Sequence, residues 1–98
     1  MSKELAQTIS RTELKFPSRY NVVFNNDDLT PMDFVIQLLI EVFNKSLDQA
    51  TAITISIHNE GKGVAGTYNH ELAEQKQGEA QLLTRHNGYP LKITLEKM

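Results

Sequence analysis

The chain has 98 residues, no cysteine, and 12 acidic against 10 basic side chains, for a formal charge of −2. Folding a chain of this length buries about 65% of the surface its unfolded form exposes, enough for one modest core and too little for a separate cofactor domain. The charge balance speaks against a nucleic-acid binder, and the lack of thiols removes disulfides, thiolate metal sites and cysteine nucleophiles. No apolar run approaches the ~18–20 residues of a membrane span and no signal-peptide pattern opens the chain, so a small soluble cytoplasmic domain is expected.

Charge divides the chain unevenly. Residues 1–19 hold Lys3, Arg11, Lys15 and Arg19 against Glu4 and Glu13, a basic stretch, whereas the remainder is acidic. With only Leu5, Ile9, Leu14 and Phe16 as sizeable apolar residues before Pro17, the first stretch reads as a flexible arm and residues 20–98 as the core domain. Tyr20 to Phe24 is a short β-rich strand, and Asn25 to Leu29 a polar turn. Thr30-Pro31-Met32-Asp33 then reads as a helix start, with Thr30 as N-cap, Pro31 in the first helical position and an acid in the first turn; the helix should run to about Asn44.

Ser46 to Gln49 is a capping box that opens a second helix, closed by Gly61. Ile53 to His58 alternates with period 2 and is rich in β-branched residues, which taken alone would indicate a strand. The box and the terminal glycine bracket a helix-length segment, and the helix is preferred. Lys62 to Tyr68 reads as a strand whose glycines let another backbone pass closely. Asn69 caps a third helix ending near Asn87-Gly88, and Leu91 to Leu95 alternates as a last, half-buried strand. The expected fold is an α/β sandwich: a small three-stranded antiparallel sheet packed against three helices, in the order β-α-α-β-α-β.

On a wheel at about 100° per residue, Asp33, Gln37, Glu41 and Asn44 fall in a stripe roughly 80° wide, and the rest of the first helix is apolar over roughly 240°. An ordinary surface helix needs an apolar stripe of only about 100°. The surplus is left for the second helix, a partner or a ligand. Asn26 and Asp27 stand just ahead of this face. Acceptor oxygens beside an apolar hollow suit a ligand that is cationic at one end and apolar at the other; the same residues also suit plain turn chemistry. On the second helix Thr54 and His58 stack one turn apart, with Ile57 on the same wall. His70 and His86, at the ends of the third helix, read as surface residues.

Enzyme chemistry is poorly served. Asp27, Asp28 and His58 would be the members of a metal or hydrolase site, but adjacent carboxylates rarely converge and no second histidine lies three or four residues from His58. There is no glycine-rich phosphate loop, no Gly-x-Ser-x-Gly elbow, and no nucleophile with an adjacent base. A binding module without cofactor or metal is the better class.

The run from Tyr20 to Val35 (YNVVFNNDDLTPMDFV) resembles the signature of the ClpS adaptors, small bacterial proteins that serve the Clp protease. The likeness continues through His58 to Gly66 (HNEGKGVAG), Glu71 to Lys76 (ELAEQK), Pro90-Leu91 and Thr94 to Lys97 (TLEK), covering roughly residues 17–98. The resemblance implies the same order of elements, which supports the helix over residues 47–60. It implies recognition of proteins whose first residue is Leu, Phe, Tyr or Trp, the bacterial N-degron, and their delivery to the AAA+ unfoldase of the Clp protease, ClpA of ClpAP. By resemblance, Asn26, Asp27 and His58 surround the free α-ammonium, and Thr30, Met32, Val35, Thr54, Ile57 and Leu91 line the side-chain pocket, with Met32 as the gatekeeper against β-branched first residues. Glu71, Glu74 and Lys76 would engage the N-terminal domain of the unfoldase, and the arm would take part in handing the substrate over. The family usually carries Met or Leu where this chain has Thr54, which leaves the shape of the pocket wall open. The chemistry agrees: an ammonium has three donors, Asn and Asp supply acceptors, and a histidine accepts only when neutral, so affinity is expected to fall between about pH 7.5 and 5.5. A monomer is expected. The alternative is a same-fold interaction domain with another partner, as in the ribosomal stalk protein, which would have no use for an ammonium site.

Overall fold

The computed structural model describes residues 18–98. Their elements are β1 (Arg19–Asn25), α1 (Met32–Phe43), α2 (Leu47–Glu60), β2 (Lys62–Asn69), α3 (His70–His86) and β3 (Lys92–Lys97). The order is the expected one. The three strands form one antiparallel sheet in the order β2-β1-β3, so β1 is central. Of the predicted arm, residues 1–17 lie outside the described residues. Arg19 already belongs to the core: its guanidinium donates to the Thr67 carbonyl at 3.2 Å, and its own carbonyl accepts the Met98 amide at 2.9 Å.

Period-2 alternation along β1 sends Tyr20, Val22 and Phe24 toward the helices. There they meet Leu38, Leu39, Val42 and Phe43 of α1, Ile57 of α2, the small Ala73 and Ala80 of α3, and Ile93 of β3. Phe24 and Phe43 pack edge to face with ring centres 5.5 Å apart, the geometry that aromatic quadrupoles favour. On the opposite face Val23 is also buried. It stands opposite Val64 and Thr94, and the Lys62–Glu96 ion pair (2.9 Å) joins the two outer strands across it. The aliphatic stems of that pair shield what a single layer of helices cannot reach.

The outer edge of β3 is closed by α3 rather than by a fourth strand. Gln77 donates to the Ile93 carbonyl at 2.8 Å, and Gln81 both donates to the Leu91 carbonyl at 2.9 Å and accepts the Ile93 amide at 3.0 Å. Side-chain amides here satisfy backbone groups that would otherwise offer an open edge. This also fixes Leu91, a residue of the hollow described below.

Residues 53–58 are helical despite their alternation. Both halves of the capping box are made: Ser46 Oγ accepts the Gln49 amide at 3.1 Å, and Gln49 Oε1 accepts the Ser46 amide at 3.0 Å. Gly61 closes the helix in the left-handed region (φ 91°), its amide donating to the Ile57 carbonyl at 2.9 Å. Thr51 and Thr54 turn their hydroxyls back onto the Leu47 and Ala50 carbonyls, both at 2.8 Å, which accommodates β-branched polar residues inside a helix.

Two local expectations are corrected. The N-cap of α1 is Pro31 (ψ 143°, extended), and the helix begins at Met32, not at Pro31. Thr30 lies one residue ahead of the cap, with its amide and hydroxyl both donating to Asp27 at 2.8 Å, and the Pro31 carbonyl accepts the Val35 amide at 3.2 Å. The glycines of β2 chiefly admit side chains, and at Gly63 the backbone nitrogen of Ile57 follows, 3.7 Å from where a Cβ would stand. A Cβ on Gly63 would sit 2.7 Å from Ile57 Cγ1, and one on Gly66 would strike the Tyr68 ring.

Candidate functional site

Three segments meet at one end of the sheet: the β1–α1 loop, the second half of α2, and Leu91 just ahead of β3. The meeting is fixed by the backbone, since the Asn26 amide donates to the Gly61 carbonyl at 2.8 Å and so pins the loop to the end of α2. Between them lies a hollow of about 200 Å³, lined by Asn26, Asp27, Asp28, Thr30, Met32, Val35, Thr54, Ile57, His58 and Leu91. Every residue named from the sequence as part of an ammonium rim or a side-chain pocket borders this one space. Asp28 was not singled out for it; its position directly after Asp27 was the only signal.

Burial orders the lining by depth. Val35, Thr54, Ile57 and Leu91 are buried and form the floor and walls, whereas Met32, 46% exposed, stands at the mouth. Asn26, Asp28 and His58 are exposed and Asp27 and Thr30 half-buried, so the polar groups gather at the rim. α1 supplies Met32 and Val35 three residues apart on one face, and α2 supplies Thr54, Ile57 and His58 on the facing one. The surplus apolar arc of α1 is thus divided between the core and this hollow.

Asp27 organises the rim. Its Oδ1 accepts the amides of Leu29 and Thr30, and its Oδ2 accepts the Thr30 hydroxyl, all at 2.8 Å. Burial alone would raise its pKa, but these hydrogen bonds outweigh it and hold the carboxyl below the ordinary carboxylate value. The turn role and a ligand role are compatible. A carboxylate offers about four lone-pair sites, and three hydrogen bonds leave one free along with the full negative charge. A rim with this anion, an amide and an imidazole around an apolar well fits a cation attached to an apolar group.

The remaining predicted residues stand elsewhere. Glu71 and Glu74 are exposed on the first turns of α3, where His70 Nε2 lies 3.6 Å from Glu74 Oε2 and its ring lies tilted against Tyr20, centres 4.7 Å apart. Lys76 is half-buried, and its ammonium donates to the Val42 carbonyl at 2.8 Å, a cation on the C-terminal end of α1. Among the described residues no cluster of His, Asp and Glu could hold a metal ion. None of their helices is long and apolar enough to cross a membrane.

Residues 15–94 match the family model described as "ATP-dependent Clp protease adaptor protein ClpS". The ATP-dependent Clp protease adapter protein ClpS of Desulforapulum autotrophicum is 48% identical over 93 residues, covering 93% of this chain and 89% of that protein. Its counterpart in Helicobacter hepaticus is 45% identical over 98 residues, 100% of this chain and 99% of that protein. Among solved structures, Agrobacterium tumefaciens ClpS2 bound to L-phenylalaninamide superposes with a TM-score of 0.81 at 35% identity, over 84% of this chain and 99% of that one.

Proposed function

The chain belongs to the ClpS family of Clp protease adaptors, and on that footing we propose that it binds proteins bearing a bulky apolar first residue (Leu, Phe, Tyr or Trp) and delivers them to the AAA+ unfoldase, ClpA of ClpAP. The observation that carries this is the single hollow with its polar rim of Asn26, Asp27 and His58 above a floor of Val35, Thr54, Ile57 and Leu91. The free α-ammonium rests against the rim, its donors taken by the Asn26 and Asp27 oxygens and the neutral imidazole of His58. The first side chain enters the well past Thr30 and Met32. L-Phenylalaninamide, the ligand of the A. tumefaciens relative, is the smallest mimic of an N-terminal Phe, with a free amine, a phenyl side chain and an amide where the chain would continue.

No bond is made or broken in this role; the adaptor acts by binding, as a cytoplasmic monomer. Exposed Glu71 and Glu74, with Lys76 beside them, face the N-terminal domain of the unfoldase, and the residues ahead of β1 assist the handover. The test is a fluorescence-anisotropy panel of peptides differing only in the first residue. Burying a large apolar side chain contributes roughly 1.5–3 kcal/mol, so an N-terminal Ala should bind about 10- to 150-fold more weakly than Phe. Equal affinity for Ala and Phe would overturn this function.

A further inference from the structure

Thr54 is the one polar residue on the floor of the hollow. It is 3% exposed, and its hydroxyl proton is committed to the Ala50 carbonyl at 2.8 Å. A hydroxyl carries one donor and two acceptor lone pairs, so Thr54 offers the well a methyl group and an acceptor, but no donor. It stands four residues before His58 on α2, which places it about 6 Å below the rim along the helix axis. That is the depth reached by the far end of a phenol or indole anchored at the rim through its own backbone amine. The volume suits such a ring: the hollow holds about 200 Å³, and an apolar cavity of about 150 Å³ already takes benzene.

The structure assigns Thr54 as the specificity determinant of the well: we infer that its oxygen accepts a hydrogen bond from the ring-borne donor of an N-terminal Tyr or Trp. This rests on the proposed recognition of N-terminal residues by the same hollow and adds the preference within it. Phe and Leu bring nothing to the lone pairs left on the Thr54 oxygen, whereas the Tyr hydroxyl brings them a donor and is itself spared burial against a wholly apolar floor. Thr30, the other hydroxyl of the lining, is half-buried near the mouth, too shallow to meet the far end of the ring, so it does not supply this contact.

The test compares fluorescein-labelled peptides identical except for Tyr or Phe in first place, by anisotropy against the native protein and Thr54→Val, with Thr54→Ser as the acceptor-retaining control and Thr54→Ala as a second acceptor-free variant. The native protein should bind Tyr about 3- to 10-fold more tightly than Phe, Thr54→Ser should keep that order, and Thr54→Val should reverse it while binding Phe at least as well. A native preference for Phe, or a Tyr-to-Phe ratio unchanged by both Thr54→Val and Thr54→Ala, overturns the assignment while leaving the general recognition of free N-termini intact. Failure of every free-amine peptide to bind the native protein would overturn both.

Discussion

Gly63 is the residue through which β2 acts on the hollow, and Gly63→Ala tests how tightly the wall is built. The added methyl would lie 2.7 Å from Ile57 Cγ1, whereas packed carbons settle at about 3.5–4.0 Å, so roughly 1 Å must be found. Ile57 cannot yield easily. It is 4% exposed, β-branched, and confronted at its inner carbon rather than its flexible tip. Overpacking of this kind costs about 1–3 kcal/mol, and each kcal/mol lowers Tm by about 4–8 °C in a domain of this size. The strain is relieved most readily toward the hollow, so Phe-peptide affinity should fall together with Tm. Thermal melts and anisotropy on Gly63→Ala, Ile57→Ala and the double variant complete the cycle. Because Ile57→Ala removes the carbon that clashes, the double variant should be at least about 1 kcal/mol more stable than the sum of the single effects. Strict additivity, or a Gly63→Ala protein that melts and binds like the native one, would refute the close contact.

Within the rim, Asp27 carries the acid response. Asp27 has a lowered folded-state pKa, so its contribution to stability is complete above the ordinary carboxylate range and lost only as pH falls through its folded value. His58→Ala should weaken binding of a Phe-first peptide by about 10-fold or more, as expected for loss of a hydrogen bond to a charged group, and native affinity in that variant would remove His58 from the ammonium site. In Asp27→Asn the acid-side loss of stability should shrink, read as a smaller drop in Tm below pH 4 (roughly, by the ordinary carboxylate range); an unchanged acid limb would contradict the Asp27 turn. Lys76→Met keeps the aliphatic stem but removes the cation from the Val42 carbonyl, costing about 1 kcal/mol, whereas Glu71→Gln and Glu74→Gln on the exposed turns should stay within about 0.5 kcal/mol of native. A Lys76→Met protein with native Tm would show that the capping contact contributes nothing.

Local signals carried most of the fold. The capping box at Ser46 and Gln49 and the glycine at 61 decided residues 47–60 against their own alternation, because caps satisfy backbone groups that periodicity ignores. The start of α1 falls one residue later than expected because Pro31 is extended and its carbonyl takes the Val35 amide; nothing in the spacing separates a proline at the cap from one in the first turn. Tertiary partnerships were not legible. Gln77 and Gln81 sealing the edge of β3, and Lys76 reaching the end of α1, join residues far apart in sequence that no periodic pattern relates. The hollow was legible as two halves, an acceptor loop before a greasy helix and a histidine on the next. What joins them is one backbone hydrogen bond, Asn26 to Gly61, which only the folded chain displays.

In the proposed binding mode a free amine is read together with the side chain beside it. One Phe-first peptide, titrated by anisotropy with its amine free and again with it acetylated, tests this most directly. Acetylation removes the charge and two of the three donors that the rim of Asn26, Asp27 and His58 would bind, so affinity should fall by about 100-fold or more. Equal binding of the two forms would contradict the account.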